Sequence, residues 1–522
     1  MVDRQHPGDP TARRGGSAPT VLDPPQPAAP ALPGRIARRA PRVLVIGDAL
    51  LDGWAAGPVH RTGRDGPVPV VELNSGRTAP GGAANTATAL AALGAAVELV
   101  ATFGDDHDGR DLRRALDGAG VRTGRCVLDP GRPTAAKRRV LSVEPSEQLL
   151  ARFDVSPPPM GPAAARTVAD QVTSALAEPW DAVLVADYGL GTLTAPVRRR
   201  VQRARDRIPL LVVDAHDLAP WAALRPDAVT PSAAEAAGLL GEPVPDGDRL
   251  GWAVDRHRGL QAAAGGAEVL LTLDVDGVVL LPTAGSPRHA PAAAPAPAAH
   301  ACGAGDVFAA AWTAARAAGI GVEQATSLAQ AAADVVVTRT GTVVCGTGTL
   351  TARLAEVDRG RVLTHGELLA VLAERRAAGH RVVFTNGCFD VLHRGHVAYL
   401  RQARRLGDVL VVALNGDASV SRLKGPTRPV NPLVDRAGVI GELASVDLVT
   451  SFDTDTPEQL LELVRPDVYA KGGDYTAEML PETPVVEALG GRVCILDYLS
   501  DHSTSAIVAR AQLNPATSGE AS

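Results

Sequence analysis

The sequence predicts two α/β domains in series, each built on a mostly parallel sheet. Three observations predict it. Short apolar, β-branched runs recur along the chain, alanine-rich helical stretches separate several of them, and the pattern restarts after a connecting segment at 351–379. Continuous apolar runs suit strands buried on both faces, and strand–helix alternation suits a parallel sheet covered by helices.

The 522 residues suffice for two or three domains of ordinary size. Residues 1–40, rich in Pro, Gly, Ala and Arg, read as a disordered tail, and 513–522 as a second one. Neither has the apolar stretch of a secretory signal, and no run reaches the ~20 apolar residues of a membrane span. The first domain, 41–350, opens with the strand run RVLVIGD at 42–48. VELVATFG at 97–104, AVLVADYG at 182–189, LLVVDA at 210–215 and EVLLTLD at 268–274 follow. PVPVVELN at 67–74 alternates and carries prolines, which suits an edge strand. The Pro/Ala-rich stretch 283–299 reads as a surface loop. Residues 351–379 read as a linker helix. The second domain, 380–512, starts at RVVFTNG (381–387) and runs through DVLVVALNGD (408–417), VDLVTSF (446–452), DVYAKGG (467–473) and RVCILDY (492–498). The two domains share no period.

A net charge of −6 and 3% aromatic residues argue against a nucleic-acid surface. The five cysteines, scattered and without CxxC spacing, suggest reduced thiols in a cytoplasmic chain rather than a disulfide framework or a zinc site. Lys and Arg together number 52. Only Lys137, Lys424 and Lys471 are lysine. A lysine kept where arginine serves elsewhere points to work that needs a compact ammonium, such as holding phosphate.

In the first domain the strongest local feature is CGAGDVFAAAW at 302–312. Gly303, Ala304 and Gly305 let backbone N–H groups approach a phosphate, and the helix that follows adds its dipole. Asp306 would stand beside the γ-phosphate and could take a proton from an attacking hydroxyl; it could equally cap the helix. PGGAANTATALAALG at 80–94 places Gly81, Gly82 and Asn85 at a second helix start, and Asp48 and Asp52 follow the first strand. In the second domain TNGCFDVLHRGHVAYLRQAR (385–404) sets His393 and His396 on one face of a first helical turn. Paired histidines there could bind a metal, pack on the surface, or donate hydrogen bonds to nucleotide phosphates.

GD, PGGAAN and GAGD, in that order, resemble the ribokinase-like carbohydrate kinases. GPVPVVELN, KRRVLS at 137–142, EQLLARFD at 147–154 and DYGLG at 187–191 resemble their heptose 7-phosphate kinase branch. The resemblance implies a doubly wound domain with a small β lid, to which PVPVVELN would belong. It makes Asp306 the catalytic base and Gly303, Ala304 and Gly305 the anion hole. It places Asp48, Asp52, Gly81, Gly82 and Asn85 on the sugar, Lys137 on a distal phosphate, and Glu235 on Mg²⁺ through water. Several positions depart from the pattern: Leu190 and His216 stand for lysines, Ser232 for asparagine, His300-Ala301-Cys302 for Asp-x-Thr, and Val143 for arginine.

The HRGH segment resembles the nucleotidyltransferase superfamily, a Rossmann-like fold. ALNGDASVSRLKGPTRPVNPLVDR (413–436), AKGGDY (470–475) and HSTSAIV (502–508) are similar to heptose 1-phosphate adenylyltransferases. That likeness implies catalysis by His393, His396 and Lys424. It puts Asn386, Phe389, Asp390, Asn415, Asp417, Ser503 and Thr504 on the nucleotide, and Arg428 and Lys471 on the substrate. Together the halves resemble the bifunctional enzymes of ADP-heptose formation, using ATP, Mg²⁺ and sugar phosphates. A separate bisphosphate phosphatase would act between the two steps, and a homodimer is expected, with neither nucleic acid nor membrane as partner. Two alternatives stand beside this: a kinase half that only binds or dimerises, and a CTP-dependent enzyme for another sugar or alditol phosphate.

Overall fold

The run at 42–48 folds as the strand Arg42–Gly47, flanked in parallel by Ala96–Val100 and Ala182–Asp187. Leu211–Ala215, Ala228–Val229 and Glu268–Thr272 extend the parallel sheet, and antiparallel strands Val278–Leu281 and Arg288–Ala290 complete its eight. Strand periodicity splits the side chains between two cores: Val43, Val45 and Leu184 join one, and Leu44, Ile46 and Val185 the other. The computed structural model describes residues 20–496, except 64–65, 144–146, 246, 294–301, 340, 359–360, 474–475 and 477–478. The chain divides into two units, Met1–Leu354 and Ala355–Ser522.

Two alanine-rich helices of the first unit, Ala83–Ala92 and Ala304–Ala317, pack against each other. Their small buried residues, among them Ala83, Ala84, Ala87, Ala310 and Ala314, allow close approach. This packing brings Asn85 to Asp306. A second sheet runs in the order Gln148–Val155, Ala136–Ser142, Ala49–Gly57, Ser75–Gly82. It leaves the main sheet at Asp48 and returns at Gly82, so it stands over the carboxyl ends of the parallel strands. PVPVVELN is not one of its strands. Pro69–Val71 pairs instead with Val59–Thr62 in a separate ribbon, where the missing proline N–H matters least.

Two further segments differ from the sequence expectation. Residues 20–40 are not a tail throughout: Leu32–Arg39 is a helix whose Leu32 and Ile36 enter the first core. A proline in the first helical turn and two apolar residues four apart are enough, and the Pro/Ala-rich surroundings hid them. The segment 351–379 holds the end of helix Thr347–Asp358, the strand Val362–Leu363 and the helix His365–Ala377. The strand joins the second sheet beside Leu448–Phe452; two residues are too few to show a period.

The second unit has six parallel strands in the order Val362–Leu363, Leu448–Phe452, Val409–Asn415, Val382–Gly387, Val468–Gly472, Arg492–Leu496. Successive strands step outward from Val382–Gly387 on one side, and the chain then crosses to its other side. Such a reversal leaves a crevice at the strands' carboxyl ends. Among the described residues no helix is long and apolar enough to cross a membrane.

Candidate active sites

In the first unit a cavity of about 240 Å³ opens where the lid stands over the strand ends. Asp306, in the first turn of Ala304–Ala317, lines it beside Gly303 and Gly305. The Asp306 carboxyl accepts hydrogen bonds from Tyr188 Oη at 2.6 Å and Asn85 Nδ2 at 2.9 Å. Burial, and then the Asp214 charge, raise its pKa to about 7, near the value that suits a general base at neutral pH. Gly303 has φ 79° and accepts a second Asn85 bond at 3.3 Å. A Cβ there would sit 2.6 Å from the Asn85 amide, so glycine is needed both for backbone conformation and for space.

The predicted sugar ligands divide. Asp52 and Lys137 line the cavity and face each other across paired strands. Asp52 forms an ion pair with Arg139 at 2.8 Å and accepts from Thr342 Oγ1 at 3.0 Å. Gly81 is tight because a Cβ would strike the Asp52 carboxylate. Gly82 lines the cavity and turns the chain into its helix at φ 57°. Asp48 does not line this cavity. Its carboxylate accepts the backbone N–H groups of Tyr188, Leu190 and Thr192 at 3.1, 2.8 and 2.8 Å; a short acid beside an irregular loop is drawn to the unpaired amides. Asn85 likewise supports Asp306 rather than lining the cavity.

The departures from the family pattern have local accounts. Ser232 caps the helix Ala233–Leu240 in a capping box with Glu235. Glu235 Oε2 accepts the Ser232 N–H at 2.8 Å, and Oε1 lies 2.6 Å from His216 Nδ1. The Glu235 contact raises the His216 pKa; burial raises Glu235, but bonds from His216 and Ser232 outweigh it and the net shift is downward. Leu190 contributes only backbone, its carbonyl accepting from Arg132 at 2.7 Å. His300 and Ala301 lie outside the described residues.

A second cavity of about 400 Å³ lies on the other side of the same helix start; Gly305 and Thr272 line both. Val275, Val278, Phe308, Ala333 and Val337 give it apolar walls fit for a flat ring. The sequence reading did not point to it: the CGAGDVFAAAW segment supplies Ala304, Gly305 and Phe308, but the rest of the wall comes from three segments without a motif.

In the second unit a cavity of about 140 Å³ opens at the crevice, lined by Asn386, Phe389, Asp390, His396, Lys424 and Lys471 among others. His393 is the N-cap of helix Arg394–Arg404 and His396 lies in its first turn. Their rings stack with centroids 3.8 Å apart. Phe389 has φ 43°, unusual for a non-glycine residue, and its ring lies 5.1 Å from that of His396. Burial, then His393 and Lys424, lower the His396 pKa to about 4. The ring is therefore neutral at pH 7 and donates through one N–H.

Asn415, Asp417 and Arg428 do not line this cavity. Asn415 Nδ2 donates to Ser419 Oγ at 3.0 Å. Asp417 pairs with the buried Arg436 at 2.6 Å, and Arg436 also donates to the Cys388 carbonyl at 2.6 Å. Arg428 pairs with Asp390 at 2.6 Å, and Asp390 accepts the Val430 N–H at 2.7 Å. The buried charges here, Arg436 and Asp390, need such partners, so Asp417 and Arg428 pair with them and brace the surrounding loops. Lys471 donates to Asn386 Oδ1 at 3.0 Å, and burial lowers its pKa. Ser503 and Thr504 lie outside the described residues.

Residues 40–347 match the pfkB family carbohydrate kinases and 384–510 the cytidylyltransferase-like family. The bifunctional protein HldE of Hahella chejuensis is 38% identical over 475 residues, covering 90% of this chain and 96% of the relative. That of Alkalilimnicola ehrlichii is 40% identical over 482 residues, covering 91% and 98%. In fold, the chain is similar to Escherichia coli phosphofructokinase-2 in complex with potassium (TM-score 0.50, 18% identity), which covers 61% of this chain and 100% of that one. The chain belongs to the family of the bifunctional protein HldE.

Proposed function

We infer that the chain catalyses two steps of ADP-heptose formation: phosphorylation of heptose 7-phosphate at C1 by ATP, and adenylyl transfer from ATP to heptose 1-phosphate. The observation that carries the reading is the pairing of one kinase-type and one nucleotidyltransferase-type cavity in a chain aligned over nearly its full length with HldE proteins. In the first step the C1 oxygen attacks the γ-phosphorus as its proton passes to Asp306, and ADP leaves. The backbone amides that open helix Ala304–Ala317 and its dipole meet the transferring charge. Lys137 and Arg139 face the sugar's distal phosphate, and the apolar cavity beyond Gly305 takes adenine.

In the second step a sugar 1-phosphate oxygen attacks the α-phosphorus of ATP and pyrophosphate departs. No enzyme nucleophile is required, only position and charge. His393 and His396 donate hydrogen bonds to the five-coordinate phosphorus and the leaving group, and the Lys424 ammonium neutralises their developing charge. Lys471 and Asn386 hold the nucleotide or sugar side. Mg²⁺ would add Lewis-acid neutralisation of the triphosphate. Among the described residues no three acidic, His or Cys side chains cluster as a metal cage, which fits a Mg²⁺ that arrives with the triphosphate and keeps its waters. Glu235 is the nearest match to its water-mediated contact.

ATP as co-substrate sets the reaction in the cytoplasm, a phosphatase acts in trans between the steps, and the product serves a heptose-bearing glycoconjugate such as lipopolysaccharide. The lid's exposed Leu149 and Phe153, 44% and 60% accessible, favour a homodimer covering them. Mass spectrometry of the products tests the reading: ATP with heptose 7-phosphate yields the bisphosphate, and ATP with heptose 1-phosphate yields ADP-heptose. CTP-sugar forming faster than ADP-heptose would replace the adenylyl assignment.

A further inference from the structure

Tyr188 stands between two carboxyl groups. Its Oη lies 2.6 Å from Asp306 Oδ1 and 2.6 Å from Asp214 Oδ2. A phenol has one proton and can donate to one of them. The other contact would then set a phenol lone pair against a carboxylate at hydrogen-bond distance, unless that carboxyl carries a proton of its own. The arrangement therefore calls for two protons among three groups: the phenol's and one more. Asp214 is the better resting place for the second. It is a buried residue, its other oxygen accepts from Thr230 Oγ1 at 3.0 Å, and it belongs to the strand Leu211–Ala215 rather than to the helix start that would hold phosphate. Asp306 sits at that helix start, where the dipole favours an anion.

We propose that Asp214 and Tyr188 form a positioning relay for the kinase base: protonated Asp214 donates to Tyr188, whose hydroxyl donates to Asp306 and holds it ionised toward the sugar. The proposal rests on Asp306 as the base. On reaction, the sugar C1 O–H bond breaks and its proton joins Asp306; the C1 oxygen bonds to the γ-phosphorus, and the β–γ bridging bond breaks with its electrons on ADP. The proton on Asp214 is not consumed. Its effect is to remove a second negative charge from beside the base. Burial raises the pKa of both carboxyls, Asp306 as well as Asp214, so the choice between them rests on the helix start beside Asp306 and the Thr230 contact of Asp214. The remaining charged groups on the cavity wall are Asp52 with Arg139, Glu235 with His216, and Lys137.

The test is the pH dependence of kinase kcat/KM in the full chain, with pyrophosphate-forming activity assayed alongside. All profiles are measured in a His216→Lys background, which replaces the cavity's titrating imidazole with a fixed charge. Asp214→Asn mimics the neutral reservoir, since its amide donates to Tyr188. It is expected to keep activity within about tenfold at its optimum and to leave the acid limb where it stands in the parent, since the carboxyl it replaces is already uncharged. Tyr188→Phe removes the bond that favours ionised Asp306 and is expected to move the limb to higher pH, with the rate partly recovered in alkali. A folded Asp214→Asn protein inactive at every pH, an Asp214→Asn limb moved to lower pH as loss of a charge would move it, or a Tyr188→Phe limb left in place, would overturn the relay; thermal unfolding reports folding. Asp306→Asn separates the two failures: if it stays active, the base assignment is wrong, whereas an inactive Asp306→Asn beside any of those outcomes condemns the relay alone.

Discussion

Asp306 is caught between stability and catalysis. Its pKa, raised from 3.8 to about 7 by burial and by Asp214, means that between those values the Asp306–Asp214 pair of the folded chain holds a proton the unfolded chain has released. Stability therefore falls as pH rises from about 4 to about 7 and stays lower above that range. Asp306→Asn should match the parent near pH 4 and melt a few degrees higher at pH 8, while kinase turnover is lost; a parent melting temperature equal or higher at pH 8 contradicts it. His396 carries the opposite case. With its pKa near 4 it does not titrate between pH 6 and 8, so adenylyl transfer should show no limb from it there. His396→Ala should lower that rate by about 10²–10³, as for loss of one transition-state donor, measured as pyrophosphate release, with kinase turnover unchanged. Single residues were also where the sequence was most informative. Lys137, Lys424 and Lys471, its only lysines, all line cavities. Asp48, Asn415 and Arg428 belong to motifs whose chemistry suggests ligand contact but do not line the cavities described; their partners here, loop amides, a serine hydroxyl and a buried carboxylate, are fixed only by tertiary structure. Tyr188 and Asp214 escaped for the converse reason: 26 residues apart, they meet only because neighbouring strands end side by side.

At the scale of elements, the first site depends on two helix starts meeting. The strand runs and the glycine turns were legible because strand burial and positive φ leave marks in composition. The lid was legible only in part, since which strands pair is decided by register and not by any one run. The meeting of Ala83–Ala92 with Ala304–Ala317 yields a sharp expectation at Gly303. An alanine there incurs left-handed strain of about 1–2 kcal/mol, and its Cβ displaces the Asn85 amide that steadies Asp306. Gly303→Ala should reduce kinase kcat at least tenfold and leave adenylyl transfer intact. An unchanged kcat in a folded protein would mean that Asn85 does not position the base.

For the whole molecule, the question is whether the two units must act on one another's product directly. The first step leaves a bisphosphate, and the second needs a monophosphate. If, as proposed, a phosphatase acts in trans, the intermediate must leave this chain between steps, and the chemistry then calls for no physical link between the cavities. Lesions in separate units should then complement. Asp306→Asn retains the second cavity, and His396→Ala retains the first. An equimolar mixture of the two variants, supplied with ATP, heptose 7-phosphate and a bisphosphate phosphatase, should form ADP-heptose at about half the parent rate for the same total chain, because half the chains carry each active site. Each variant alone should form essentially none. Exchange of subunits between copies would not change the expectation, since it alters neither count of intact sites. Product formation far below half, with each half-reaction normal in its own assay, would show that the intermediate passes within one molecule and that the units are coupled after all.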